Sequence, residues 1–327
     1  MNLPPTLSQF LIKELIDHPE KEKLVAIMSD LATIGKIISN HTNRAGLVDI
    51  LGSTNQTNIQ DEEVQKLDVF CNELCKNYLR QTGNFAAMAS EEEDGVVEMG
   101  EFGKDAQYVI AFDPLDGSTN IDVNISVGTI FSVHRLLPEF SRVDEQQFFQ
   151  PGNSQALAGY ILYGSSTVLV FSWGNAVHEF TLDQGLGEFL LSREKIVIPD
   201  VCKIYSVNEA NMELFSTKDK QFVEYLKKEK KCSTRYIGSL VADVHRNFIK
   251  GGIFLYPGMD KKGTGEYTGK LRLNFEAKAM AYLAKQVGGL AVDGLQDILD
   301  VIPTSLHQRV PLIVGNKNVI EYYLNNK

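Results

Sequence analysis

Apolar residues at the start of the chain recur at helical spacing. Leu7, Phe10, Leu11 and Leu15 share one helical face, and Leu24, Ile27, Met28, Leu31, Ile34 and Ile38 continue the period beyond the His18-Pro19 break, so the spacing predicts two opening helices. Gly52-Ser53-Thr54-Asn55 reads as a loop. Val64, Leu67, Phe70, Cys71, Leu74, Tyr78 and Leu79 then mark a third helix that ends near Gly83 and carries Asp68.

From Gln107 the texture changes to short β-branched and aromatic runs: Tyr108 to Phe112, Val127 to Val133, Leu157 to Tyr163, Thr167 to Phe171 and Val177 to Leu182. Turn residues separate them, which predicts mostly antiparallel neighbours in one sheet. After Pro199 the pattern alternates. Met212 to Lys227, Gly238 to Phe248 and Leu273 to Val287 read as helices, and Gly252 to Tyr256 and Leu312 to Val314 as strands. A boundary is expected near residue 198, dividing an N-terminal unit of helices and mainly antiparallel sheet (1–197) from a C-terminal α/β unit (198–327). The lysine run from Lys227 to Lys231 reads as a solvated helix end.

Composition narrows the classes. With 327 residues, 43% apolar and 23% charged, the chain has material for a sizeable core and none of the bias of disordered or disulfide-scaffold proteins. A net charge of -10 argues against nucleic acid and anionic membrane as partners. No apolar run approaches the roughly 20 residues needed to span a bilayer. Met1 to Asp17 lacks an export signal, so a cytoplasmic location is expected, with the four cysteines as reduced packing thiols.

Candidate chemistry concentrates between Glu91 and Asp116, where nine acidic residues face one basic residue, Lys104. Glu93, Asp94, Glu98, Glu101 and Asp105 read as an exposed acidic loop. Glu91-Glu92 and Asp113-Pro114-Leu115-Asp116 differ because each follows an apolar segment, where an element ends and a pocket can begin. Packed carboxylates either take up protons or bind cations, and hard divalent ions such as Mg²⁺ choose oxygen donors; cation binding is the better fit. Pro114 fixes its own φ and biases Asp113 away from helix, which lets two carboxylates and the Leu115 carbonyl turn toward one point. Gly117-Ser118-Thr119-Asn120 supplies backbone amides that can receive a phosphate oxygen. Gly263 to Lys270 does not fit the GxxxxGK phosphate loop, and no GxSxG turn occurs.

Glu91-Glu92 with Asp113-Pro114-Leu115-Asp116-Gly117-Ser118-Thr119 resembles the metal signature of the lithium-sensitive phosphatase superfamily, which includes inositol monophosphatases and fructose-1,6-bisphosphatases. Lys66-Leu67-Asp68-Val69, Arg235-Tyr236-Ile237-Gly238-Ser239, Val241-Ala242-Asp243-Val244-His245-Arg246 and Lys270-Leu271-Arg272-Leu273, in that order, narrow the resemblance to class I fructose-1,6-bisphosphatase. It implies an α/β fold of the α+β kind: a layered α-β-α-β-α sandwich, the sugar phosphatase fold. It implies Glu91, Glu92, Asp113, the Leu115 carbonyl, Asp116 and Glu276 as ligands of two or three Mg²⁺ ions per subunit, with Mn²⁺ an alternative. Glu62, Asp68 and Glu92 then serve catalysis, the first two as the acidic pair that helps to orient and deprotonate the attacking water. Gly117, Ser118 and Thr119 match the cradle of the reacting 1-phosphate, and Asn208, Tyr236, Tyr256 and Lys270 match the grip on the far phosphate. Arg235 matches an arginine reaching a neighbouring subunit, which implies a homotetramer.

The activity so implied is Mg²⁺-dependent removal of the 1-phosphate of fructose 1,6-bisphosphate, a step of gluconeogenesis. The alternatives are sedoheptulose 1,7-bisphosphate hydrolysis and a non-catalytic sugar-phosphate sensor. The chain departs from the family pattern in places. Glu62 stands where Asp is more frequent, and Asn211 and Leu240 replace a tyrosine and a methionine of the substrate pocket. His18 to Lys23 and Gln107 replace residues with which animal members hold AMP, so weak or absent AMP inhibition is expected. Glu139 to Gln150 lacks the cysteines of a thioredoxin switch.

Overall fold

In the computed structural model, residues 4–45, 47, 53–57 and 63–326 are described. Helix α1 (Leu7–Asp17) starts at a capping box: Gln9 N donates to Thr6 Oγ1 at 3.1 Å and Thr6 N donates to Gln9 Oε1 at 3.0 Å. A 3₁₀ turn at Pro19–Lys21, with Lys21 tied to Glu14 at 3.1 Å, leads into α2 (Glu22–Thr42). Strands β1 (Ser53–Thr57) and β2 (Glu63–Gln65) pair antiparallel ahead of α3 (Lys66–Thr82). The third helix therefore begins later than its apolar spacing predicts, because Val64 is drawn into strand pairing. Ser53 to Asn55, expected in a loop, lie in β1 for the same reason; Gly52 and Glu62 fall outside the described residues.

The strands that follow are β3 (Phe85–Ser90), β4 (Val97–Glu98), β5 (Tyr108–Asp116), β6 (Val127–Arg135), β7 (Gln155–Tyr163), β8 (Thr167–Ser172), β9 (His178–Asp183) and β10 (Glu188–Arg193). They form one sheet in the order β10-β9-β8-β7-β6-β5-β3-β4, antiparallel except where β3 runs parallel to β5. Apolar runs predict five of these strands. Phe-Ala-Ala-Met-Ala-Ser carries no strand signal of its own, and β3 forms because that segment is buried on both faces between paired neighbours.

The remaining elements are β11 (Ile204–Ser206), α4 (Thr217–Lys228), β12 (Ser233–Thr234), α5 (Leu240–Lys250), β13 (Gly252–Tyr256), β14 (Leu271–Arg272), α6 (Lys278–Gln286), β15 (Gly289–Val292), β16 (Arg309–Val310), β17 (Leu312–Asn316) and α7 (Lys317–Asn325). A second sheet runs β12-β11-β13-β17-β15, and β14 pairs with β16 apart from it. Two helices expected to be continuous are broken. Glu209–Leu214 is a 3₁₀ turn, and α4 starts afresh where Ser216 Oγ accepts from Asp219 N at 3.1 Å. Leu273–Ala277 is a single π-helical turn in front of α6.

Alternation along the strands sorts side chains into separate cores. Leu169 and Phe171 face α1, α2 and α3, whereas Val168 and Val170 face α5 and α6. On β13, Phe254 joins the α5/α6 core while Ile253 and Leu255 pack under α4 and α7. The order is helix, sheet, helix, sheet, helix, the layered sandwich expected. All four cysteines are buried thiols, and the fold brings Cys202 and Cys232 to 3.6 Å between sulfurs, a proximity that sequence spacing does not show. Among the described residues, no helix is long and apolar enough to cross a membrane.

Candidate active site

The cleft lies where β3 and β5, parallel neighbours, both reach their carboxyl ends. Glu91 follows β3 directly, and its amide donates to Phe112 O of β5 at 3.0 Å, which sets the two acidic segments side by side. The end of β5 is bulged. Asp113 pairs with Ile130 and Asp116 with Gly128, so three steps along β5 face two along β6. Leu115 N donates to Asp113 Oδ1 at 2.9 Å and Thr129 Oγ1 to Pro114 O at 2.9 Å, which holds the extra residue in place. Gly117 continues into the left-handed region at φ 75°, a conformation that a Cβ would disfavour, and starts the 3₁₀ turn Ser118–Val123.

Glu276 arrives from the opposite side, on the π-helical turn. This wide turn lets its carboxylate accept from the Arg272 backbone amide while still pointing into the cleft. Oxygens of Asp113, Asp116 and Glu276, all buried, lie within 4.8 Å of one another. Burial, and then the Glu91, Asp116, Glu276 and Glu92 charges, push Asp113 well above the usual carboxylate range. Burial also raises Asp116 from 3.8 to about 6, although the Val241 amide pulls it down, and raises Glu276 from 4.5 to about 8, with Asp116 the next cause. Desolvated carboxylates that repel one another are the donor set a hard dication neutralises, so the residues fit Mg²⁺.

The cleft encloses about 440 Å³, within the range of small-ligand sites. Asp68, 4% exposed on the first turn of α3, lines it together with Glu91, Glu92, Asp113, Leu115, Asp116 and Glu276. Ser118 and Thr119 line the same wall as Gly117, and Tyr236, Tyr256 and Lys270 also line the cleft. Two expected residues are not among those lining it. Asn208 caps the 3₁₀ turn after β11 by accepting from Ala210 N at 3.1 Å, and Arg235 is exposed, with its guanidinium on Thr234 O at 2.7 Å. Glu62 lies outside the described residues. Glu93, read as loop, is held away by Lys76 at 2.6 Å and Asn72 at 2.7 Å.

Sequence reasoning assigned no role to Arg272. Its Nη2 lies 2.8 Å from Glu91 Oε1; a basic residue within four positions of a candidate acidic ligand was the available signal. Leu240, noted as a departure, does line the cleft.

A layered α/β sandwich with buried carboxylates at strand ends, beside a glycine-led 3₁₀ turn, defines a class of metal-dependent phosphatases. Comparison with known families narrows it. The model of the fructose-1,6-bisphosphatase N-terminal domain matches residues 5–194, and that of its C-terminal domain matches residues 198–325. The chain is 46% identical over 325 residues to the class 1 fructose-1,6-bisphosphatase of Chlorobaculum tepidum, covering 97% of this chain and 96% of that one. Crystal structures of Leishmania major fructose-1,6-bisphosphatase are also similar. The holo form superposes with a TM-score of 0.90 at 38% identity, covering 99% of this chain and 98% of that one. The apo form gives 0.85 at 37%, covering 98% of each. The chain belongs to the fructose-1,6-bisphosphatase family, in its class I branch.

Proposed function

We propose that the protein hydrolyses the 1-phosphate of fructose 1,6-bisphosphate to fructose 6-phosphate and inorganic phosphate. The observation that carries this reading is one cleft in which a carboxylate cluster adjoins an amide turn, with Lys270, Tyr236 and Tyr256 in the same walls. A monophosphate site would have no use for that cation and those two phenols.

Glu91, Glu92, Asp113, the Leu115 carbonyl, Asp116 and Glu276 are the groups that would hold two or three Mg²⁺ ions, or Mn²⁺. When bound, the ions supply neutralisation of phosphoryl charge and acidification of water, the main needs of a very slow hydrolysis. Asp68, with Glu62 and Glu92, orients the attacking water and accepts its proton. The amides of Gly117, Ser118 and Thr119 receive the reacting phosphate. Lys270, Tyr236, Tyr256 and Asn208 hold the far phosphate, so that its binding energy aligns the reacting end. Arg235, exposed in the single chain, extends to the far phosphate of a neighbouring subunit in a homotetramer.

The division into units at residue 198 is part of the same reading; matches that end at 194 and resume at 198 support it. So is weak or absent AMP inhibition, supported by a Pro19–Lys21 turn closed by an ion pair. Phosphate release from fructose 1,6-bisphosphate, sedoheptulose 1,7-bisphosphate and inositol monophosphate, with Mg²⁺ and with chelator, tests the assignment. Fastest release from fructose 1,6-bisphosphate, abolished by chelator, is expected. Binding without turnover would make the protein a sensor, and preference for the seven-carbon ester would reassign the substrate.

A further inference from the structure

The segment that carries Arg235 and Tyr236 has almost no hydrophobic anchorage. Residues 233–238 are exposed without interruption, so side-chain burial does not hold them. Pairing with β11 holds Ser233 and Thr234, and Arg235 N donates to Tyr205 O at 2.9 Å; what holds the stretch beyond is an ion pair on α5 whose carboxylate is buried. Asp243 is 0% exposed, and its carboxylate does not serve its own helix start, which Ser239 caps. It reaches back to accept from Ile237 N at 3.1 and 3.0 Å and from Gly238 N at 3.1 Å. Arg246, a turn further on, donates Nη2 to Asp243 Oδ1, to Arg235 O at 2.6 Å and to Ser206 Oγ at 2.7 Å. The pair thus grips the main chain on both sides of Tyr236.

The same segment is tied to the other end of the cleft. Asn120 Nδ2, from the turn after Gly117, donates to Gly238 O at 3.1 Å, and Val241 N of α5 donates to Asp116 Oδ2 at 3.2 Å. Gly238 sits at φ 85°, the left-handed conformation that lets its carbonyl turn to Asn120 while its amide faces Asp243. One helix start therefore joins the carboxylate cluster, the amide turn and the Tyr236 segment.

We propose that Asp243 and Arg246 are positioning residues that hold Tyr236 and Arg235 for the far phosphate and keep that grip in register with the reacting end. The inference rests on the bisphosphatase reading above. Substrate anchored at both ends gains rate from its remote end only while the two anchors keep a fixed spacing. Exposed main chain tied by charge-assisted hydrogen bonds supplies that spacing without a hydrophobic core.

Asp243→Asn keeps the shape but presents an amide donor toward groups that themselves donate. In the variant, calorimetry with Mg²⁺ should show affinity for fructose 6-phosphate falling by about tenfold or more, while affinity for inorganic phosphate falls much less. Hydrogen exchange at the Ile237 and Gly238 amides should quicken while β13 stays protected. If Asp243→Asn does not fold, Arg246→Lys provides the test, because the shorter lysine side chain stops short of the position from which Nη2 serves Arg235 O and Ser206 Oγ, and the same unequal loss is expected. Equal losses for both ligands, or an unchanged fructose 6-phosphate affinity, would overturn the positioning role. Wild-type protein that releases no phosphate would overturn the bisphosphatase reading and this inference with it; active wild type with equal losses overturns this inference alone.

Discussion

Arg272 Nη2 stands 2.8 Å from Glu91 Oε1, with the two side chains 4% and 11% exposed. Removing one member of a buried pair strands the other charge at a cost of about 3–5 kcal/mol. Arg272→Met should therefore lower the melting temperature strongly in chelator. Millimolar Mg²⁺ should recover much of the loss, because a dication can replace the missing positive charge. Scanning fluorimetry under both conditions checks this, and an equal drop in each would contradict it.

Asp116 and Glu276 predict how metal-free stability depends on pH. Both carboxyls bind protons more tightly in the folded chain, Asp116 at about 6 against 3.8 and Glu276 at about 8 against 4.5. Between those values the folded state holds more protons than the unfolded one, so stability falls as pH rises. In chelator, the melting temperature should drop from about pH 4 to about pH 8 on this account. With Mg²⁺ the trend should flatten or reverse, since ligands must lose protons to bind metal.

Asp116→Asn separates function from folding. The amide can still accept from Val241 N, now 3.2 Å from Asp116 Oδ2, while one buried charge disappears. Turnover should fall by more than about 100-fold, beyond what loss of a ligand's supporting partner costs. The melting temperature in chelator at pH 8 should rise. Undiminished phosphate release would remove Asp116 from the proposed metal site.

Lys270 offers the cleft a cation at the wall shared with Tyr236 and Tyr256. Lys270→Ala should raise KM for fructose 1,6-bisphosphate by about 10- to 100-fold, the value of one charge-assisted contact. A monoester that lacks the far phosphate should suffer a smaller loss. Initial rates on the two substrates decide the matter, and matching effects would refute the far-phosphate role.

Much of the architecture was legible where periodicity is strong. The stripes of α1 and α2 and the runs of β5 to β9 appear as predicted because each buries a face that its own sequence marks. β3 was not legible, since its alanines prefer no strand and the pairing partner β5 imposes one. The broken helices failed for local reasons: Ser216 offers a cap that restarts α4, and Glu276 draws the Arg272 amide into a wider turn. Glu91, Glu92, Asp113 and Asp116 stood out by local density, whereas Glu276 and Lys270 came only through family resemblance. Asp243 lay inside a quoted motif with no role attached, because its partners Ile237 and Gly238 bind through backbone amides that look the same in any sequence.

The chain by itself determined the helices and strands whose apolar period is strong, and that a knot of carboxylates follows two apolar runs. Those properties depend on neighbours a few positions away. Only the tertiary structure decided that Glu276 meets Asp116, that α5 lends an amide to that carboxylate, and that Arg272 faces Glu91. Charges in water interact weakly over such separations in sequence; burial in a common low-dielectric cleft makes their arrangement matter.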